Sequence, residues 1–200
     1  MAVQNNPQAV KSAPYRPTRA ELLAAAGRTI RDVIGPNLRV LFCGINPGLY
    51  SAATGHHFAR PGNRFWPALA AAGFSRRLLH PSEERQLLES GYGITNLVAR
   101  STATADEIAP GELVAGRRRL AAKVSRYRPR IVAVLGVGAY RMAFGLPRAG
   151  LGLQEERLAG AALWVLPNPS GLNANHQLPD LVRLFRALRK AAGPGRRGAC

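Results

Sequence analysis

The chain has 200 residues, 46% of them hydrophobic, enough for one domain with a single well-buried core. Twenty-eight basic residues against eleven acidic ones give a formal charge of +17, an excess that favours a polyanionic partner such as nucleic acid. No run of about 18 apolar residues is present, so no membrane span is expected. The two cysteines, Cys43 and Cys200, exclude a four-cysteine zinc or iron–sulfur site within one chain and suit a reducing, cytoplasmic setting.

Residues 1–17 are polar, contain proline and lack the apolar core of a secretory signal; a disordered extension is expected there. Thr18 and Glu21 have the spacing of a capping box, which opens a helix expected to run to about Ile34 and to stop at Gly35-Pro36-Asn37. Strands are expected over Val40–Cys43, Gly93–Leu97, Ile131–Leu135 and Ala162–Leu166. The first, third and fourth are nearly continuous apolar runs, as in a parallel sheet covered on both faces. Helices are expected over Asn63–Ala72, Ser82–Glu89, Glu112–Tyr127, Gly138–Phe144 and Pro179–Ala192. In the third, Leu113, Leu120, Val124 and Tyr127 form an apolar stripe at helical spacing. Residues 193–200 form a basic tail, expected to be flexible. There is no internal repeat. The alternation predicts an α/β fold: a single domain over 18–192, with an open, mainly parallel sheet and helices on both faces.

Two loops stand out because each follows a strand and mixes rigid proline, flexible glycine and an amide side chain. They are Gly44-Ile45-Asn46-Pro47-Gly48 and Pro167-Asn168-Pro169-Ser170-Gly171-Leu172-Asn173. Such a mixture holds a polar group in place while the backbone approaches a ligand. In a parallel sheet both loops leave the carboxyl ends of strands and share the rim where open α/β folds bind ligands.

Three segments, in their order and spacing, resemble one family. They are Gly44-Ile45-Asn46-Pro47-Gly48-Leu49, Gly55-His56-His57-Phe58-Ala59-Arg60-Pro61-Gly62-Asn63-Arg64-Phe65-Trp66, and Asn168-Pro169-Ser170-Gly171-Leu172. They look like the mismatch-specific uracil/thymine-DNA glycosylases, the Mug and thymine-DNA glycosylase branch of the uracil-DNA glycosylase superfamily. The resemblance spans about Leu38 to Leu188. It implies a glycosylase-like fold and a monofunctional, monomeric enzyme that removes uracil from G·U mismatches in double-stranded DNA, without a cofactor or metal. It gives Asn46 the water-positioning role and Phe58 the stacking of the flipped pyrimidine. Backbone groups around Ile45 and Phe58 would hydrogen-bond the base, Ser51 would lie against the pyrimidine C5, and Asn168 would touch the flipped nucleotide. Ser170, Gly171, Leu172 and Asn173 would form the wedge that enters the vacated space. Asn96 stands where some bacterial members carry Lys and the eukaryotic branch carries Asn. Asn173-Ala174 replaces the usual bacterial Ser-Arg.

The residues support this chemistry on their own terms. Hydrolysing a glycosidic bond in duplex DNA needs a flipped nucleotide, a pocket and a positioned water. An amide oxygen can orient a water but is a poor proton acceptor at neutral pH, so a slow enzyme is expected. Asp106 is a second catalytic candidate, able to act as a stronger base; a solvated or helix-capping aspartate is the alternative. No lysine occupies an evident nucleophile position, so strand cleavage through a Schiff base is not expected. His56 and His57 are candidates for phosphate contact, and the segment 117–130 offers seven basic residues and no acid, fit for phosphate or simply for solvent. A competing reading is a non-catalytic module, binding either damaged DNA or a nucleotide at Gly136-Val137-Gly138. For the nucleotide, Arg141 stands where the dinucleotide fingerprint needs its third glycine.

Overall fold

Two segments are apolar at nearly every position, which dictates where they lie. Val40–Gly44 (β1) and Ile131–Leu135 (β3) are buried along their whole length and pair in parallel, so both faces of the sheet must be covered. The computed structural model describes residues 15–193. The expected extension as far as residue 14, and the tail from residue 194 including Cys200, lie outside the described residues. Tyr92–Asn96 (β2) and Ala161–Leu166 (β5) complete a parallel set in the order β2-β1-β3-β5. The chain runs from β1 to β2 on one side, then crosses to β3 on the other. The winding therefore reverses at β1, and the crevice beyond its carboxyl end is the place such sheets bind ligands.

A fifth strand, Gly152–Leu158 (β4), pairs antiparallel with β5 at the sheet edge; the sequence reading has no strand there. Three charged residues in succession, Glu155, Glu156 and Arg157, hide it from an apolar pattern, and the same charges discourage edge-to-edge association. Its turn carries positive φ at both central residues, Ala159 at 46° and Gly160 at 88°, the backbone that suits a two-residue hairpin.

Helices cover the two faces. Phe65–Ala71 (α3) and Leu178–Ala192 (α6) pack on one, where Phe42 of β1 meets Phe65 and Phe74 edge-on and lies parallel to Phe185 at 5.8 Å. Pro110–Tyr127 (α4) and Val137–Phe144 (α5) pack on the other, against Leu41, Cys43, Val132 and Val134. Burial pushes the Cys43 thiol up to about 12, so it is an inert core filler.

Three expectations need correction. The helix opened by Thr18 (α1, Arg19–Ala24) has its capping box but ends ten residues before Ile34. Gly27 turns the chain at φ 75°, and the following segment extends instead, exchanging backbone hydrogen bonds between Val33 and Ile94 at 2.9 and 2.7 Å. The expected helix over Ser82–Glu89 is a 3-10 segment, Pro81–Ser90. A short helix, Leu49–Thr54 (α2), follows the first motif loop directly, where none was expected, and Gly55 closes it at φ 78°.

Candidate active site

The first loop begins where β1 stops and is zipped to the chain beyond β2. Leu97 N–H donates to the Gly44 carbonyl at 2.9 Å, Val98 N–H to the Ile45 carbonyl at 2.9 Å, and Thr102 N–H to the Pro47 carbonyl at 3.2 Å. The Ile45 carbonyl thus gives one of its two lone pairs to this ladder. Asn46 is half-buried within this ladder. Its Nδ2 donates to Thr102 Oγ1 at 2.7 Å and to the Arg100 and Pro47 carbonyls at 3.1 Å each. Thr102 Oγ1 donates onward to the Thr104 carbonyl at 2.6 Å, leaving its lone pairs to Asn46. With its nitrogen tethered three ways, the amide can address a ligand only through Oδ1, which has no hydrogen-bond partner among the described residues.

Beside this loop stands Phe58, whose φ of 54° is an outlier for a bulky residue and stores about 1–3 kcal/mol of strain. The neighbours impose it. Ser51, buried in α2, accepts the Ala59 N–H on its hydroxyl at 3.2 Å and the His56 N–H on its carbonyl at 3.1 Å. Glu84 accepts the His57 N–H at 2.8 Å, and Trp66 Nε1 donates to the His57 carbonyl at 3.1 Å. So held, the Phe58 ring stacks on Phe65 with centroids 4.1 Å apart and reaches the end of β1. A Cβ on Gly44 would lie 3.3 Å from Phe58 Cζ and 2.4 Å from Asn96 Oδ1. Glycine at 44 is what lets the ring and the Asn96 amide converge. Ser51 thus has a local task the sequence does not reveal: it pins the loop that carries Phe58. A cleft of about 490 Å³ is lined by Tyr50, His56, Phe58, Arg60 and Trp66 among others, and does not include Asn46 or Asn96.

His57 is buried, so the phosphate-contact reading does not suit it. Burial lowers its pKa, against the pull of Glu84 and of the Arg31 carbonyl. The neutral ring lies with Nε2 3.0 Å from the Arg31 carbonyl, which fixes the proton on that nitrogen. Nδ1 is then an acceptor, and Asn96 Nδ2 sits 3.4 Å from it. His56 turns instead to Glu84, at 3.3 Å. One residue before Asn96, the fully buried Thr95 donates to Asp32 at 2.7 Å and accepts from Lys123 Nζ at 2.8 Å, and Lys123 pairs with Asp32 at 2.6 Å. This triad anchors the end of β2. It also takes Lys123 out of the basic face of α4, where Arg117 and Arg126 lie over the rings of Phe144 and Tyr127.

The second loop leaves β5 at Leu166 and is organised by its own side chains. Asn168 Oδ1 accepts the Ser170 N–H at 3.0 Å, and Ser170 Oγ accepts the Leu172 N–H at 3.3 Å. Asn173 Nδ2 donates to the Asn168 carbonyl at 2.9 Å, and its Oδ1 accepts the Asn175 N–H at 3.1 Å. One donor and one acceptor position of the Asn173 amide, and one lone pair of the Asn168 oxygen, are engaged inside the loop, so both side chains shape it, while Asn168 Nδ2 has no partner among the described residues. Gly171 packs so closely on the Gly62 carbonyl that a Cβ would come within 2.7 Å of it. Leu172 projects with 73% of its surface exposed.

Asp106 lies in an exposed 3-10 turn, Ala105–Glu107, where Glu107 rather than Asp106 completes the capping box with Thr104. It makes none of the bonds that orient Asn46. Apart from the Pro47 carbonyl, those come from Arg100 and Thr102, which the sequence reading missed; their signal is only a polar stretch on the rim beyond β2. Arg100 is itself fixed by a two-pronged pair with Glu112 at 2.6 and 2.7 Å, which holds the Glu112 carboxyl down to about 2. Among the described residues no group of three or more His, Cys, Asp or Glu is placed to hold a metal ion.

The family model of the uracil DNA glycosylase superfamily matches residues 31–191. The chain belongs to this superfamily. Membership implies a hydrolase acting on N-glycosyl bonds and a part in DNA repair. Among solved structures the chain is similar to the solution NMR structure of a "putative Uracil DNA glycosylase" from Methanosarcina acetivorans, with a TM-score of 0.54 at 18% identity, covering 82% of this chain and 98% of that one. At that identity the likeness bears on the fold, which is the α/β glycosylase architecture expected from the sequence.

Proposed function

We propose that this member of the superfamily is a monofunctional, mismatch-specific glycosylase of the Mug and thymine-DNA glycosylase type. In this reading it removes uracil paired with guanine in double-stranded DNA. The observation that carries it is the Asn46 amide, its nitrogen tied to Arg100, Thr102 and Pro47 and its oxygen without a partner among the described residues, at the reversal point of the sheet in the loop whose first residue, Gly44, abuts the Phe58 ring. The flipped pyrimidine would stack on Phe58, with Asn96 at its edge and Ser51 toward its C5. As the C1′–N1 bond breaks, its electron pair leaves with the uracil. A water hydrogen-bonded to Asn46 Oδ1 adds to C1′, and its proton passes to solvent. The amide positions the water rather than deprotonating it, which sets a slow rate. Leu172 would fill the space left by the base, offsetting an unstacking cost of a few kcal/mol. The net charge of +17 supports a DNA partner and predicts binding that weakens steeply with salt. Lys123, engaged with Asp32 and Thr95, is held away from a Schiff-base role.

A labelled duplex with one G·U pair, treated with alkali after incubation, tests the reading. Abasic sites should form at the uracil strand only. No cleavage at stoichiometric protein would overturn the catalytic assignment, and retained binding to the same duplex would then favour a non-catalytic damage binder. Cleavage of single-stranded and G·U substrates at equal rates would overturn mismatch specificity alone.

A further inference from the structure

The second loop has no strand ladder beyond Leu166, yet it holds an apolar side chain out in solvent. Besides the loop's own side chains, one residue outside it contributes. Arg64, the N-cap of α3, donates its backbone N–H to the Pro169 carbonyl at 2.9 Å. Its Nη2 donates to the carbonyls of Ser170 at 2.5 Å and Asn173 at 2.7 Å. Its Nη1 donates to the His176 carbonyl at 2.8 Å and to Gln177 Oε1 at 3.0 Å. Ser170 and Asn173 bracket Gly171 and Leu172, so one guanidinium grips the loop on both sides of its exposed leucine. Every acceptor is neutral, and three of the four bonded to the side chain are main-chain carbonyls. Such a cation serves backbone shape rather than charge neutralisation. The arrangement needs a planar fork; a lysine has a single nitrogen and cannot span Ser170 and His176 at once.

We infer that Arg64 is the positioning residue that keeps Leu172 presented to DNA and couples the wedge to the loop carrying Phe58. The coupling is direct in the chain: Gly62, on whose carbonyl Gly171 sits, and Arg64 both belong to the segment that leads from Phe58 into α3. Capture of the base and filling of the gap are then two ends of one rigid piece. Arg64 does not touch the reacting atoms. The inference rests on the proposed wedge role of the second loop, and the experiment separates the two.

The measurement uses the full chain carrying Asn46→Ala, which slows turnover, and a G·U duplex with 2-aminopurine beside the uracil, whose fluorescence is read before cleavage and rises when the stack is opened. Adding Arg64→Lys should cut the fluorescence rise to less than half, with the circular dichroism spectrum and thermal midpoint little changed. Leu172→Ala should do the same. In the cleavage-competent chain, Arg64→Lys should lower the ratio of rates on paired G·U and on uracil in an unpaired bulge by about tenfold. If Leu172→Ala lowers the signal and Arg64→Lys does not, the role given to Arg64 is wrong. If Leu172→Ala leaves the signal intact, the wedge reading itself fails and takes this inference with it. Should Arg64→Lys fail to fold, Gly171→Ala, which lifts the loop off the Gly62 carbonyl without entering the core, must lower the signal; a full signal from that variant overturns the inference.

Discussion

The two motif loops leave the same rim of the sheet and are built in opposite ways. The Asn46 loop is half-buried, laddered to the chain after β2, and has its key side chain held by three acceptors. The Leu172 loop relies on short side-chain-to-backbone bonds within itself and on Arg64 from below. The difference matches the tasks proposed for them. A group that orients a water gains from having no freedom at the moment of reaction. A group that enters a DNA stack must stay outside the core and hold its shape without being buried.

The largest test of that contrast is Asn46→Ala. Turnover of a G·U duplex should fall about 10²-fold or more, while binding to the same duplex persists, because the second loop is untouched. Equal losses in rate and affinity would mean that the first loop grips DNA rather than positioning water. Next comes Thr102→Val, which keeps the shape but removes the 2.7 Å acceptor of Asn46 Nδ2. Freed to swing, the amide should lose roughly tenfold in rate, the equivalent of one hydrogen bond worth about 1 kcal/mol or a little more. An unchanged rate would show that Arg100 and Pro47 suffice to hold it.

A smaller effect concerns pH. The folded chain keeps His57 neutral below its ordinary value, first through burial, whereas the unfolded chain takes up a proton as pH falls through about 6.5. The contribution is therefore fully present above that pH and is lost as the solution is acidified toward the lowered folded value. Glu84 and Asp32 act against the shift and Lys123 with it. Thermal midpoints at pH 7.5 and 5.5 should differ more in the parent than in His57→Asn; equal differences would remove His57 from the account. The smallest expected effect belongs to Asp106→Asn. An exposed side chain with no bond to Asn46 should change the rate by no more than about twofold. A large loss would move water activation from the first loop to the turn at Ala105–Glu107.

Much of the rim was legible because proline, glycine and asparagine at a strand end imply a fixed polar group. The less legible parts depended on partners distant in sequence. Asn46 gives no hint that Thr102 orients it, since the contact spans 56 residues. Nothing in the sequence shows that the Ser51 hydroxyl takes the Ala59 N–H, eight residues on. Strand β4 and the early end of α1 were missed because pairing with β5 and with Ile94 overrides a charged pattern in one case and helix propensity in the other.

By itself, the sequence determined the parallel core, through runs such as Ile131–Leu135 that are stable only between two covering layers, and it marked the two loops that matter. Tertiary structure alone decided which atoms of those loops remain free. Hydrogen-bond partners assigned by the fold tie the nitrogen of Asn46 to three acceptors and engage both ends of Asn173 and the oxygen of Asn168, while leaving Asn46 Oδ1 without a partner among the described residues and Leu172 exposed. Which polar groups are satisfied is a property of three-dimensional neighbours, and no local pattern can specify it.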